Sequence, residues 1–147
     1  MDIEEEIKKL ICELRDTMKK GEIIAIIYNP VKEEGMQERD CELLMKLFEN
    51  SKYTYPLILL SGHGGDFITG LFFPTLIRKK VGKYKVFIPR VCGSALCYTL
   101  LKSSELFIGE NTHISQIDPM FEYNDSWVRA IENTHSIDDN LKQKSRE

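Results

Sequence analysis

At 147 residues and 42% apolar content, the chain has the size of one ordinary domain, able to build a single core without metals or disulfides. Its formal charge of -3, with both signs scattered along the sequence, excludes the basic stripe that a nucleic-acid partner requires. The apolar runs are strand-sized, far short of the roughly 20 residues that make a membrane span, and the start Asp2-Ile3-Glu4-Glu5-Glu6 is the opposite of a signal peptide, so a single cytoplasmic domain over residues 1–147 is expected.

Residues 2–20 place Ile3, Ile7, Leu10, Ile11, Leu14 and Met18 at three- and four-residue steps, which predicts an amphipathic helix stopped by Gly21. Residues 22–28 are short, isoleucine-rich and closed by Asn29-Pro30, the signature of a buried strand. The polar stretch 31–39 reads as a loop, and Asp40 as the cap of a second helix carrying Leu43, Leu44, Leu47 and Phe48. Residues 55–60 form a second apolar strand that stops at Ser61-Gly62-His63-Gly64-Gly65.

A third helix is expected from about Phe67 to Lys80, with Pro74 in its first turns or kinking it. Residues 83–88 make a third strand, Gly93-Ser94-Ala95 opens a fourth helix, and residues 106–109 a fourth strand. Strands and helices that alternate in this way imply an α/β fold with a mostly parallel sheet and helices packed on its faces. Beyond Asp118-Pro119 a weaker helical pattern surrounds Trp127, Val128 and Ile131, and the tail from about 138 is almost wholly polar and expected to fray.

Cys12, Cys41, Cys92 and Cys97 lack paired C-x-x-C spacing with further ligands and read as small core residues. The acidic stretches at 4–6 and 33–38 read as solvated surface, since a hard-cation site needs oxygen ligands converging on one point. No metal and no cofactor is expected.

Two segments share one arrangement, a strand running into small residues and then a helix, where backbone N–H groups lack intrahelical partners and can meet an anion. At the first, Gly64 and Gly65 allow close approach of a substrate to the backbone. At the second, Ser94 stands between Gly93 and Ala95, where a serine is either an N-cap or a nucleophile. Taken together the junctions would let Ser94 attack a carbonyl whose oxyanion is held by the N–H groups of Gly65 and Ala95.

The run Ile58-Leu59-Leu60-Ser61-Gly62-His63-Gly64-Gly65 resembles the strand and glycine turn of the Clp protease/crotonase superfamily, S-P-G-G or T-P-G-G. Residues 85–96, through Cys92-Gly93-Ser94-Ala95-Leu96, resemble the strand that delivers its nucleophilic serine. Ser103-Ser104-Glu105-Leu106-Phe107-Ile108-Gly109 and Ser115-Gln116-Ile117-Asp118-Pro119 are similar to elements of the serine dehydrogenase proteinase family, related to signal peptide peptidase A.

The resemblance implies a crotonase/Clp protease-like fold and a serine peptidase working through an acyl-enzyme on a peptide or protein substrate. It puts Ser94 at the nucleophile, Gly65 and Ala95 at the oxyanion-hole amides, and Gly64 and Asp118 beside the substrate. It also implies a homo-oligomer. His63 replaces the usual proline and Leu96 a glycine. Relatives use a lysine as general base, but the matching place near Asn133 or Thr134 holds none, and Lys142 and Lys144 fall in the polar tail. Lys102 stands about 12 Å along the helix axis from Ser94 at about 1.5 Å per residue, and His113 is the remaining candidate. The rival expectation is a catalytically inactive binding or assembly module on the same fold; an acyl-CoA enzyme is a third, weaker reading, because nothing identifies a CoA pocket.

Overall fold

The computed structural model describes residues 3–17, 21–29, 34–118, 120–123 and 126–129. Its elements are α1 (Ile3–Thr17), β1 (Ile23–Ile27), α2 (Glu38–Asn50), β2 (Leu57–Ser61), α3 (Phe67–Val81), β3 (Lys85–Ile88), β4 (Val91–Cys92), α4 (Cys97–Leu101), β5 (Glu105–Ile108), β6 (His113–Ile114), β7 (Met120–Tyr123) and β8 (Ser126–Arg129). The sheet order is β1-β2-β3-β5, every pair parallel. The α/β class and the parallel, adjacent placement of the first three strands follow the alternation in the sequence.

Residues opposite one another on a ladder share a face and successive residues alternate. The register Ile24–Ile58–Val86 therefore sets one face, continued by Leu60 and Ile88. Leu44 of α2 and Phe73 and Ile77 of α3 close over these residues in one buried cluster. Ala25, Leu59, Phe87 and Phe107 form the opposite row, and Ala25 and Phe107 are exposed. Strand β5 is exposed along its whole length.

Local chemistry moves several boundaries. Helix α2 begins at Glu38 with Gln37 as N-cap, so Asp40 is the third helical residue and its carboxylate accepts the Gln37 N–H at 2.8 Å. The same carboxylate accepts the Tyr28 hydroxyl at 2.8 Å, which ties α2 to the end of β1. Helix α3 is capped by Asp66, whose carboxylate accepts both the Thr69 N–H and hydroxyl at 2.6 Å. Pro74 lies within α3 rather than in its first turns, fully buried; having no N–H, it leaves the Gly70 carbonyl without the bond due from residue 74.

The segment around Trp127 and Val128 is not helical: β7 and β8 pair antiparallel, with Glu122 opposite Trp127. The spacing of Trp127, Val128 and Ile131 suits a helix, but a pattern that short gives way to the pairing of β7 with β8. Ile131 and the polar tail lie outside the described residues. No described helix is long and apolar enough to cross a membrane.

Candidate functional site at the Ser94 turn

Two backbone junctions meet at the end of β2 and β3. Past β2, Gly62 continues the pairing: its N–H donates to the Val91 carbonyl at 3.1 Å and its carbonyl accepts the Gly93 N–H at 3.0 Å. The chain then enters the glycine turn, where Gly64 and Gly65 hold φ of 121° and 145°. Only glycine takes such angles without strain. A Cβ on Gly64 would lie 2.8 Å from the Ser94 Cβ and 3.4 Å from the Ala95 nitrogen, so this turn is in direct contact with the serine turn.

Met36 fixes the glycine turn from the other side. Its N–H donates to the Gly64 carbonyl and its carbonyl accepts the Asp66 N–H, both at 2.8 Å. These bonds use the groups flanking Gly65 and leave the Gly65 N–H without a partner among the described residues. A side chain on Gly65 would collide with the Met36 backbone. Met36 is completely buried. It lies in the polar stretch 31–39 that reads as a loop, where its size and apolar character signal burial but not the hold on Gly65.

The serine turn has its own peculiarity. Ser94 is the one described non-glycine residue in the left-handed region, with φ of 45°. An L-residue there costs about 1–2 kcal/mol. Gly93 is the N-cap of the short 3-10 turn Ser94–Leu96 that leads into α4, so Ser94 is not a cap. Its hydroxyl makes no hydrogen bond among the described residues, and its N–H donates to the Ser115 hydroxyl at 2.9 Å. Ala95 is almost completely buried, and its N–H has no partner among the described residues. A Cβ on Gly70 of α3 would lie 2.8 Å from the Ala95 Cβ, so the turn is wedged between α3 and the glycine turn.

The strained serine, the Ala95 amide and the Gly64-Gly65 turn are thus brought together. Asp118 is half-buried on the segment after β6, and its carboxylate accepts the Gln116 side-chain amide at 3.5 Å. Lys102 gives its ammonium to the Thr75 hydroxyl, away from the turn. His63 and His113 are exposed and hold no side-chain hydrogen bond among the described residues. Ser115 enters as a positioning residue that sequence reasoning quoted only as part of a motif. Pairing of β4 with β6, Val91 opposite His113, delivers it.

A cavity of about 530 Å³ opens on the Gly65 side, between the starts of α2 and α3, with Gln37, Cys41, Asp66, Ile68, Thr69 and Phe72 in its wall. Ser94 itself does not line it. Burial pushes the Cys41 thiol up from its ordinary value, with the Asp40 carboxylate adding to the effect. The two hydrogen bonds from Thr69 hold the Asp66 carboxyl below the usual carboxylate range. A second cavity, about 380 Å³, lies between β1 and α2, at the far edge of the sheet. No protein-family description, curated protein or solved structure matches the chain.

Proposed function

We propose that the chain carries a serine hydrolase site on a crotonase/Clp protease-like fold of the serine dehydrogenase proteinase kind, acting on peptide or protein substrates. Ser94 attacks the substrate carbonyl, the N–H groups of Gly65 and Ala95 receive the developing oxyanion, and the acyl-enzyme is resolved by water. The observation that carries this reading is the left-handed Ser94, free of any capping role and pressed against the glycine turn. Backbone strain at a residue held by its surroundings is a mark of functional turns. The neighbouring cavity, with Ile68 and Phe72 exposed in its wall, suits an apolar side chain of the substrate.

A second reading has an observation of its own. No lysine or histidine nitrogen among the described residues is hydrogen-bonded to Ser94, and serine attack without a base is slow. A binding or assembly module on the same fold answers to that, and the exposed β5 edge and Phe107 supply surface for a homo-oligomer. A fluorophosphonate probe separates the two. Covalent labelling of the native chain that disappears in Ser94→Ala supports the hydrolase; labelling no faster than that of Ser94→Ala leaves the module.

A further inference from the structure

Two cysteines bracket the Ser94 turn. Cys92 ends β4 and Cys97 begins α4; Cys92 is completely buried, Cys97 is 4% exposed, and both are free thiols. Their sulfurs are 3.9 Å apart. The Cys97 thiol also lies 3.3 Å from the carbonyl oxygens of Cys92 and Ser115. Ser115 is the residue whose hydroxyl holds the Ser94 N–H.

The geometry points to a redox switch: Cys92 and Cys97 form a reversible intrachain disulfide, made by a hydroperoxide and broken by a dithiol, that reshapes the Ser94 turn between them. The disulfide itself does not depend on Ser94 being a nucleophile; its effect on probe labelling rests on the hydrolase reading.

A disulfide has sulfurs about 2.0 Å apart, so the pair must close by roughly 1.9 Å. Cys97 is the first to react, being the less buried, and its hydrogen-bonding contact with the Cys92 sulfur holds it below its ordinary value. Its thiolate attacks the O–O bond; the sulfur takes one oxygen as sulfenic acid, and the other leaves, protonated, as water or an alcohol. The Cys92 sulfur then attacks that of Cys97, the S–O bond breaks, and the departing hydroxide takes the Cys92 proton to leave as water. Two thiols have lost two electrons and two protons, and the peroxide is reduced.

Closure consumes the Cys97 S–H that faces the Ser115 carbonyl and draws the start of α4 toward β4. Ala95 is already in tight contact with Gly70 and cannot follow toward α3. The strained Ser94 therefore has to move.

Cleavage after Arg90 and Lys102 releases residues 91–102, a peptide containing Cys92, Cys97 and no other cysteine. The full chain, folded and reduced, is treated with hydrogen peroxide, alkylated with iodoacetamide and digested with trypsin. The expected peptide is lighter by two hydrogens and takes up iodoacetamide only after dithiothreitol. A peptide doubly alkylated after peroxide, or one carrying added oxygens in place of the two-hydrogen loss, overturns the proposal. For the effect on the turn, fluorophosphonate labelling should fall at least tenfold on oxidation, return with dithiothreitol, and ignore peroxide in Cys92→Ala and Cys97→Ala; unchanged labelling overturns the switch. A reduced chain that never labels defeats the hydrolase reading alone. Amide exchange over residues 91–102 then decides, and identical exchange in both redox forms overturns the switch.

Discussion

The Cβ of Ser94 occupies the space that any side chain on Gly64 would need: a Cβ built on Gly64 comes 2.8 Å from it and 3.0 Å from the Gly93 carbonyl. Gly64→Ala therefore meets both a steric block and an angle, φ 121°, that alanine resists. Destabilisation of about 1–3 kcal/mol is expected, together with loss of probe labelling at Ser94. Gly82→Ala is the control, since Gly82 also has a positive φ (74°) but nothing within 4 Å of its added Cβ. Equal effects of the two on labelling at matched stability would show that contact with Ser94 is immaterial.

Ser115→Ala removes the acceptor of the Ser94 N–H. A hydrogen bond of this kind contributes about 1 kcal/mol, so the chain should still fold, with a modestly lower melting temperature. The turn loses one of the contacts that hold it in the left-handed region. Labelling at Ser94 should drop by about tenfold, the equivalent of about 1.4 kcal/mol, and Ser115→Thr should recover part of it. An unchanged labelling rate in a folded Ser115→Ala would remove Ser115 from the site.

Thr99 is completely buried in α4 and its hydroxyl has no partner among the described residues. Burying an unpaired hydroxyl costs about 1–3 kcal/mol. Thr99→Val keeps the shape and removes the polar atom, so it should stabilise the chain by about 1 kcal/mol in urea titrations. A lower midpoint for the valine variant would count against the packing described for α4.

Asp66 gives a pH signature. Its carboxyl is held below the usual range by the Thr69 hydroxyl and N–H, so the folded chain binds the proton less readily than the unfolded one. The sign follows: the cap's contribution is present above the unfolded value, about 3.9, and is lost as pH falls through the depressed folded value. Asp66→Ala should cost about 1 kcal/mol near neutrality. Melting curves of the two proteins should converge in acid, and a gap that stays constant to the lowest accessible pH would contradict the cap.

Much of the fold was legible because it depends on local pattern. Ile23, Ile24, Ile26 and Ile27 in one short run read as a buried strand, and Gly64-Gly65 and Gly93-Ser94-Ala95 announced two turns. What was not legible depends on contacts between distant segments. Nothing local marks Met36 as the clamp on Gly65, because its role consists of two backbone bonds to residues far along the chain. The positive φ of Ser94 is likewise imposed by its neighbours, against the preference of a serine. Strands β4 and β6 have two residues each, too few for any periodicity.

The seam at Gly62, Gly64, Gly70 and Gly93 is backbone laid against neighbouring atoms, with added Cβ atoms meeting them at 2.6–2.8 Å. Where it meets backbone and Cβ atoms, at Gly64, Gly70 and Gly93, the seam has little that can rotate away, and it yields by separation of whole segments. It joins parts of the chain brought near each other only by the completed sheet, so loop closure has to be overcome before any of its contacts form. The turn that holds Ser94 should thus open together with the segments packed on it, and loss of probe labelling at Ser94 in heat or denaturant should coincide with the loss of helical signal.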